Sequence, residues 1–228
     1  MRTVFCAGVL LCVLNHTHPA LAGDFNSPKL PPASNFWSGC YVGLDGAGSV
    51  GGGTGGGNFG LGAVIGGQFG CNYQGGLVVV GLVSEGAWSS LVARNDSSGS
   101  TGATFKSTTN RWDADVAARI GYLYRYDVLT YAKVGVAFGD FKYNTTDTSA
   151  GTVMTGSATI PGLLLGAGME YMVTQQWFVQ GGVDFILFRP TDVTLNCTPA
   201  AACLTPSTVS TTTEVEFLGK VGVTYKFM

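Results

Sequence analysis

Alternation of apolar and polar residues is the strongest pattern in the chain, and it is clearest between residues 111 and 125. Trp112 and Val116 fall on one face of an extended chain there, whereas Asp113 and Arg119 fall on the other. Successive side chains of a β-strand point to opposite faces, so one face suits lipid and the other a polar interior. The 15 residues exceed the roughly 9–11 that a tilted strand needs to cross a bilayer. The segment therefore predicts a membrane-spanning strand.

The same period of two recurs in seven further segments. It is regular at 61–73, 163–173, 177–187 and 214–227, and less regular at 36–47, 77–92 and 129–140. Short turns at 74–76, 125–128 and 174–176 alternate with longer polar segments at about 48–59, 93–110, 141–157 and 189–213. An even strand number with alternating short turns and long loops is typical of bacterial outer-membrane barrels. We predict an all-β fold, an eight-stranded antiparallel up-and-down transmembrane β-barrel.

The predicted topology places the outward aromatic residues at two heights, which indicates two girdles at the membrane interfaces. A soluble β-sandwich does not need such girdles. The group at the short-turn end comprises Tyr73, Tyr122, Tyr124, Tyr171, Trp177, Tyr225 and Phe227, and the group at the other end comprises Trp88, Trp112, Phe138, Phe185 and Phe217.

The N-terminal segment reads as an export signal. Arg2 precedes an apolar core, and Ala20 and Ala22 form a small-residue cleavage site. We expect residues 1–22 to be a signal peptide, 23–35 a Pro-rich periplasmic leader and 36–228 the barrel. The predicted location is the bacterial outer membrane, reached through the Sec pathway.

Composition narrows the function classes. Charged residues make up 11% of the chain, against about 25% in a typical soluble domain, and the formal charge of −2 gives no basic patch for nucleic acid. Cleavage at the predicted site removes both histidines, His16 and His18. Ser-His and Cys-His catalysis need an imidazole. We therefore expect no enzyme activity, cofactor or metal site.

A glycine-rich stretch between residues 46 and 67 contains a G-x-G-x-x-G pattern at Gly46, Gly48 and Gly51. A dinucleotide-binding loop requires a following helix, and period-two alternation follows here instead. We interpret residues 48–58 as a flexible exposed loop, and the glycines at 62, 66 and 70 as the lumen face of a strand.

The first predicted strand begins with the pattern Trp-x-Gly-x-Tyr-Val-Gly at residues 37–43, and the last strand ends with polar-x-Gly-x-x-aromatic-x-aromatic at residues 220–227. These motifs resemble small alphaproteobacterial outer-membrane β-barrel proteins of the porin-family or opacity-like type, which are OmpA-type eight-stranded barrels. The resemblance spans nearly the whole predicted mature chain and implies a barrel rather than an activity. A C-terminal insertion signal read by the barrel-assembly machinery is implied at Lys220, Gly222, Tyr225 and Phe227, with Met228 departing from the usual final aromatic. The other matching residues are Trp37, Gly39, Tyr41, Val42, Gly43, Arg119, Gly121, Tyr122, Gly166, Gly168, Glu170 and Tyr171.

Ten charged residues are predicted to face the lumen. An eight-stranded barrel is only wide enough to be filled by side chains, and buried charges persist when they are paired. We favour a structural ion-pair plug over a polar pathway, with Arg119 pairing with Glu85, Glu170 or Asp184. Catalysis by Asp113 and Asp115 is disfavoured. The predicted network is Asp45, Glu85, Asp113, Asp115, Arg119, Lys133, Glu170, Asp184, Glu216 and Lys220.

Four cysteines remain after the predicted cleavage, in an oxidising compartment that permits disulfides. Cys197 and Cys203 are close enough in sequence to close the last long loop. Cys40 and Cys71 are predicted to lie at similar heights on the lipid face, as possible cross-strand partners.

The sequence thus favours a structural or surface role in the envelope. The alternatives are a narrow porin that passes small solutes and a loop-mediated adhesin. The expected partners are outer-membrane lipid, lipopolysaccharide and the barrel-assembly machinery, with the chain a monomer.

Overall fold

The computed structural model describes residues 35–53, 60–99, 102–148, 150–198, 207–210 and 213–227. The predicted signal peptide and almost all of the predicted leader lie outside these ranges, as does Met228. Within the described ranges, no helix has the length and apolar character needed to cross a membrane.

Eight antiparallel strands close into a ring, which confirms the predicted eight-stranded barrel. Going round the ring, the order is β1, β2, β3, β5, β6, β7, β8 and β11, and pairing of β11 with β1 closes it. Closure leaves the ring without an unpaired edge. The strands are β1 Gly39–Gly53, β2 Gly60–Gly75, β3 Val78–Ser89, β4 Val92–Gly99, β5 Gly102–Arg125, β6 Val128–Asp147, β7 Thr152–Met172, β8 Trp177–Phe188, β9 Asp192–Thr198, β10 Ser207–Ser210 and β11 Glu214–Phe227.

Burial alternates along the ring strands as the period of two requires. On β2, Leu61 and Ile65 are 76% and 68% exposed, whereas Val64 and Gln68 are 5% and 6% exposed. Trp88, Trp112, Phe138, Phe185 and Phe217 of one predicted girdle all lie exposed on the outside. The outer surface is therefore apolar, and the polar side chains point into the lumen.

The interpretation of residues 48–58 as an exposed loop is wrong for the first six of them. β1 continues to Gly53, paired with β11 as far as Glu214, and Ser49 is buried. Backbone pairing does not depend on side chains, so a run of glycines hid a strand that carries almost no apolar signal. Residues 54–59 lie outside the described ranges.

The described parts of the other long polar segments also contain paired strands. β4 pairs with the first part of β5, β6 pairs with β7 as far as Asp147 and Thr152, and β9 pairs with β10. Beyond the bilayer the outward face needs no apolar residues, so the alternation fades while the hydrogen-bonded ladders continue. From Phe138 to the end of β6, this amounts to about 30 Å of strand at roughly 3.4 Å per residue.

Simple alternation from Asp113 predicts that Arg111 faces the lumen, and a β-bulge on β5 makes this prediction wrong. The pairing with β6 shifts between Asn110 and Asp113, so Asn110 turns inward and is buried. The Arg111 side chain is half exposed and its Nη2 lies 2.6 Å from Oδ2 of Asp140. Strict alternation from Asp113 cannot anticipate this extra residue.

Gly135 on β6 lies very close to the backbone of β5, so a substitution there tests how tightly the strands pack inside the barrel. A Cβ at Gly135 would lie 2.2 Å from the carbonyl oxygen of Val116, whereas a Cβ at Gly48 on β1 would meet nothing within 4 Å. We expect Gly135→Ala to lower the free energy of unfolding by about 1–3 kcal/mol and Gly48→Ala to leave it nearly unchanged. Urea unfolding in detergent micelles measures both, and equal values for the two variants would contradict this packing.

Candidate functional site

The interior of the barrel is the candidate site, and its short-turn end is closed by the chain itself. Trp37, just before β1, is 2% exposed. Its ring packs against Phe178 with centroids 4.9 Å apart. The other buried members of this apolar layer are Val79, Leu123 and Leu129. A bulky apolar layer therefore fills the short-turn mouth.

Hydrogen bonds hold this N-terminal segment to three parts of the short-turn end. The Trp37 backbone N–H donates to Gln74 Oε1 (3.1 Å), and the Gln74 N–H donates to Ser38 Oγ (2.9 Å). The indole Nε1 of Trp37 donates to the carbonyl oxygen of Tyr126 (3.1 Å), and Lys226 Nζ donates to that of Phe36. The segment thus bridges two turns and the last strand.

Arg119 lies above the Trp37 layer and is enclosed on all sides. Its Nη1 is 2.5 Å from Glu170 Oε1, its Nη2 donates to Glu170 Oε2 (3.3 Å), and its Nε donates to Asn72 Oδ1 (2.9 Å). The rings of Tyr41 and Tyr131 flank the guanidinium, each with its centroid 5.1 Å away. The fork geometry of arginine suits such a bidentate contact, and the two rings add cation–π attraction.

Two lysines organise the next layer. Lys133 Nζ lies 2.8 Å from Glu85 Oε1 and 3.0 Å from Asp184 Oδ2. Lys220 Nζ contacts the other Glu85 oxygen, lies 3.1 Å from Asp184 Oδ2 and is 4.0 Å from Asp45 Oδ2. Glu85 and Asp184 therefore each bridge both ammonium groups, so the layer is a connected network rather than separate pairs.

The remaining predicted lumen residues lie inside the barrel but outside these ion pairs. Asp113, Asp115 and Glu216 are buried, and none forms an ion pair among the described residues. Asn110, which the bulge turns inward, donates to both Asp113 and Glu216. The predicted ten-residue network thus comprises two ion-paired groups, the Asp113 and Glu216 pair held by Asn110, and Asp115, which lines the same space as Glu85 and Lys220.

A second apolar layer closes the lumen toward the long hairpins. Phe141 and Phe188 meet edge to face, with centroids 4.9 Å apart and an interplanar angle of 80°. Ile160, Leu164 and Phe188 are fully buried. The neighbouring members are Val64, Val83, Ala117, Ala137, Ile186 and Leu218. The polar layers therefore lie between two apolar ones.

Three spaces between these layers, each lined by described residues, are small. One of about 10 Å³ lies by Trp37 and Glu170, one of about 20 Å³ lies between Asp45 and Asp115, and one of about 10 Å³ lies by Asn110 and Phe188. A cavity needs roughly 10–15 Å³ to hold one water molecule. Each space holds about one water molecule, so the buried ion pairs fit a plugged lumen.

Sequence alternation missed several residues that build the interior. Asn72 falls on the predicted lumen face, so the alternation could have predicted its hydrogen bond with Arg119. Asn110 was hidden by the bulge. Trp37 lies within the predicted segment 36–47, but the alternation there is irregular and β1 begins only at Gly39. Tyr41 and Tyr131 share the face of Asp45 and Lys133, so alternation places them in the lumen, but their contacts with Arg119 join different strands and leave no signal in the sequence.

The Cys40–Cys71 disulfide is confirmed. The two residues are direct partners in the pairing of β1 with β2, their Cα atoms lie 4.0 Å apart, and their sulfur atoms are bonded. The proposed partner of Cys197, Cys203, lies outside the described residues.

The implied insertion-signal residues lie together on β11. Tyr225 and Phe227 face outward, and Lys220 points into the lumen network. At Gly222 a Cβ would lie 2.7 Å from the carbonyl oxygen of Leu44. Recognition of this strand by the assembly machinery stays a prediction.

A family model described as the outer membrane protein beta-barrel domain matches residues 19–227. This chain belongs to that family. The family's proteins lie in the bacterial outer membrane, so the short turns of this barrel face the periplasm and its long hairpins face the exterior.

Solved structures of other outer-membrane barrels are similar in fold. A major outer membrane protein from Thermus thermophilus matches with a TM-score of 0.52 and 14% identity, over 82% of this chain and 99% of that one. Neisserial surface protein A matches with 0.48 and 15%, over 83% and 98%. Ail of Yersinia pestis matches with 0.47 and 12%, over 83% and 99%. No curated protein matches the sequence.

The Arg119–Glu170 contact predicts a large stability effect. Arg119→Met leaves the buried Glu170 carboxylate without its cation, and we expect unfolding free energy to fall by about 3–5 kcal/mol. The matched control is Arg125→Met, because Arg125 forms an ion pair with Asp127 but its side chain is 61% exposed. An exposed pair contributes at most about 1 kcal/mol.

Urea unfolding in micelles measures both variants, together with the double variant Arg119→Met/Glu170→Met. Replacing both buried charges by apolar residues restores much of the loss. A loss in Arg119→Met no larger than that in Arg125→Met would contradict the role given to this contact.

Proposed function

We propose that this barrel is a non-conducting structural protein of the outer membrane. The observation that carries the proposal is the order of layers along the lumen. The Trp37 layer closes the periplasmic mouth, the Phe141–Phe188 layer closes the outer mouth, and the ion pairs lie between them. A solute would have to displace both apolar layers to pass.

The charges between the layers also oppose a pathway. A hydrated ion entering the Arg119 layer would have to separate Arg119 from Glu170, and removing one partner of a buried pair costs about 3–5 kcal/mol. The next layer holds Lys133 and Lys220 against shared carboxylates. In each layer the buried charges are paired with one another. The charged side chains therefore fill and stabilise the interior of a narrow barrel.

We further propose that the chain has no catalytic role. The predicted mature chain has no histidine. Most lumen carboxylates lie in ion pairs, and the remainder lie beneath the outer apolar layer, where a substrate cannot reach them. The exposed part of the barrel offers apolar side chains to lipid.

The finer family placement and the partners are also proposals. We infer an alphaproteobacterial, opacity-like barrel, exported through the Sec pathway, from the motifs around Trp37 and Gly166 and from the N-terminal segment. The apolar belt supports contact with outer-membrane lipid and lipopolysaccharide. The closed ring leaves no strand edge for pairing with another copy, which supports a monomer.

Surface contact is a second candidate role, and the long hairpins favour it. β4–β5 and β6–β7 continue as paired strands well beyond the outer aromatic residues, so they present an ordered surface rather than loose loops. Such a surface is suited to adhesion, and the role is compatible with a closed lumen.

Conductance in planar bilayers tests the main proposal. We expect the wild-type barrel to give no discrete unitary steps. The variant Trp37→Ala/Phe141→Ala/Phe188→Ala removes the aromatic rings of both closing layers but not the ion pairs, and is expected to raise the leak current above that of the wild type. The matched control is Phe185→Ala, which removes an aromatic ring from the lipid face and should stay silent. Regular unitary steps from the wild type would overturn the proposal in favour of a narrow porin.

Assembly in a Gram-negative host tests the proposed insertion signal. Phe227→Ala removes the last outward aromatic side chain of β11, and we expect it to lower the amount of heat-modifiable barrel in the outer-membrane fraction. Phe185→Ala removes an outward aromatic from β8 and is the control. If both variants assemble as well as the wild type, Phe227 is not part of a recognised signal.

A further inference from the structure

We propose that Asp113 and Glu216 form a proton-binding site beneath the outer apolar layer. In this site Glu216 is a neutral carboxylic acid that donates a hydrogen bond to the side-chain oxygen of Asn110, and Asp113 is ionised. The site is separate from the ion pairs of the lumen, and it goes beyond the proposed structural function.

One amide nitrogen holds the two carboxyl groups together. Asn110 Nδ2 lies 2.8 and 2.9 Å from the two oxygens of Asp113 and 3.0 Å from Glu216 Oε2. Asn110 and Glu216 are each 1% exposed and Asp113 is 7% exposed. Since the amino group has two N–H donors, one serves Asp113 and the other serves Glu216.

No cation balances this pair. Among the described residues, no lysine or arginine lies at ion-pair distance from Asp113 or Glu216, whereas Glu85, Glu170 and Asp184 each contact one or two cations. Two adjacent carboxylates buried this deeply do not both remain ionised, because each charge disfavours the other and the adjoining space holds only about one water molecule. One proton relieves this repulsion.

The unpartnered atoms show where the proton fits. Among the described residues, Glu216 Oε1 and Asn110 Oδ1 are buried and have no hydrogen-bond partner, and both are acceptors when Glu216 is ionised. A proton on Oε1 turns it into a donor, and the acceptor that lacks a partner is Oδ1 of the same amide whose Nδ2 already donates to Oε2. The reversed amide orientation would place Oδ1 against three carboxyl oxygens and would require further protons.

A metal ion fits the site less well than a proton. The N–H groups of Asn110 point at the three carboxyl oxygens that a cation would need. The adjoining space is about 10 Å³, lined by Asn110, Glu216 and Phe188 among others. In the described part of the chain, no three His, Cys, Asp or Glu side chains are arranged to hold a metal.

The surroundings give the proton a consequence for stability. A Cβ at Gly139 would lie within 3 Å of Asp113, Phe141 and Phe188 at once, so Asp113 packs directly against the aromatic pair. If Glu216 lost its proton, a second negative charge would lie beneath this apolar layer and would destabilise the folded barrel. Five other charged residues surround the site. Asp115 and Lys220 lie on its inner side, Glu214 lines the adjoining space, and the Asp140–Arg111 pair lies on the neighbouring strands. The residues that β1, β4 and β8 contribute are uncharged: Gly51, Gly52, Ala93 and Phe188.

Infrared spectroscopy of the folded barrel in micelles detects the proton directly. We expect Glu216→Gln to remove a protonated-carboxyl C=O band at neutral pH. Glu214→Gln, two residues away on the same strand, should leave this band unchanged. Loss of a band only in Asp113→Asn would place the proton on Asp113 and overturn the assignment to Glu216. If neither Glu216→Gln nor Asp113→Asn loses a protonated-carboxyl band, the proton site does not exist.

The pH dependence of unfolding is an independent measurement on the same variants. Glutamine at 216 retains a donor for Asn110 Oδ1, so Glu216→Gln should fold. An unfolded glutamate releases its proton near pH 4.3, whereas the folded wild type keeps one proton. Stability of the wild type relative to Glu216→Gln therefore falls as pH rises, by about tenfold in the folded-to-unfolded ratio per pH unit, until the folded pair ionises. Parallel stability curves for the two proteins would overturn the proposal.

Discussion

The need to satisfy every backbone N–H and C=O group within lipid is the constraint on which this structure depends. A sheet meets it only by closing on itself, and here the pairing of β11 with β1 completes the ring. The glycine-rich β1 remains paired on both sides along nearly its whole length. Closure thus explains why a segment with so few side chains is nevertheless a regular strand.

The number of strands then determines what the interior can hold. Eight strands leave a lumen that side chains can just fill, and the sequence alternates small and large residues there. At Gly166 and Gly135 a Cβ would approach Lys133 and the Val116 carbonyl oxygen, respectively, to within 3 Å. The missing side chains give the long cations room to cross the lumen. Because the barrel is narrow, these charged groups are buried. A buried charge is stable only when it is paired with an opposite charge, so the ion pairs follow from the small width of the barrel.

The ring strands, their inward and outward faces and the Cys40–Cys71 pair could be predicted because each depends on a period of two within the membrane. The hairpins beyond the bilayer could not, because water on both faces removes the apolar signal while leaving backbone pairing intact. Asn110 was missed because a bulge inserts one residue and inverts the alternation beyond it. Trp37 has the parity of Asp45 within the predicted segment 36–47, but the alternation there is irregular, and its role in closing the lumen depends on contacts with Phe178 and Gln74 that are distant in sequence.

A polar barrel interior is often taken to indicate a pore, and this chain shows why the order of layers matters more than their composition. Lys133, Lys220 and their carboxylates, considered alone, resemble the lining of a cation pathway. Their position between the Trp37 layer and the Phe141–Phe188 layer removes them from water at both ends. In that setting attraction between opposite charges is strong and the cost of leaving one unpaired is high, so polar and apolar layers reinforce each other. The two apolar layers make the ion pairs structural, and the ion pairs in turn fix the side chains on which those layers rest.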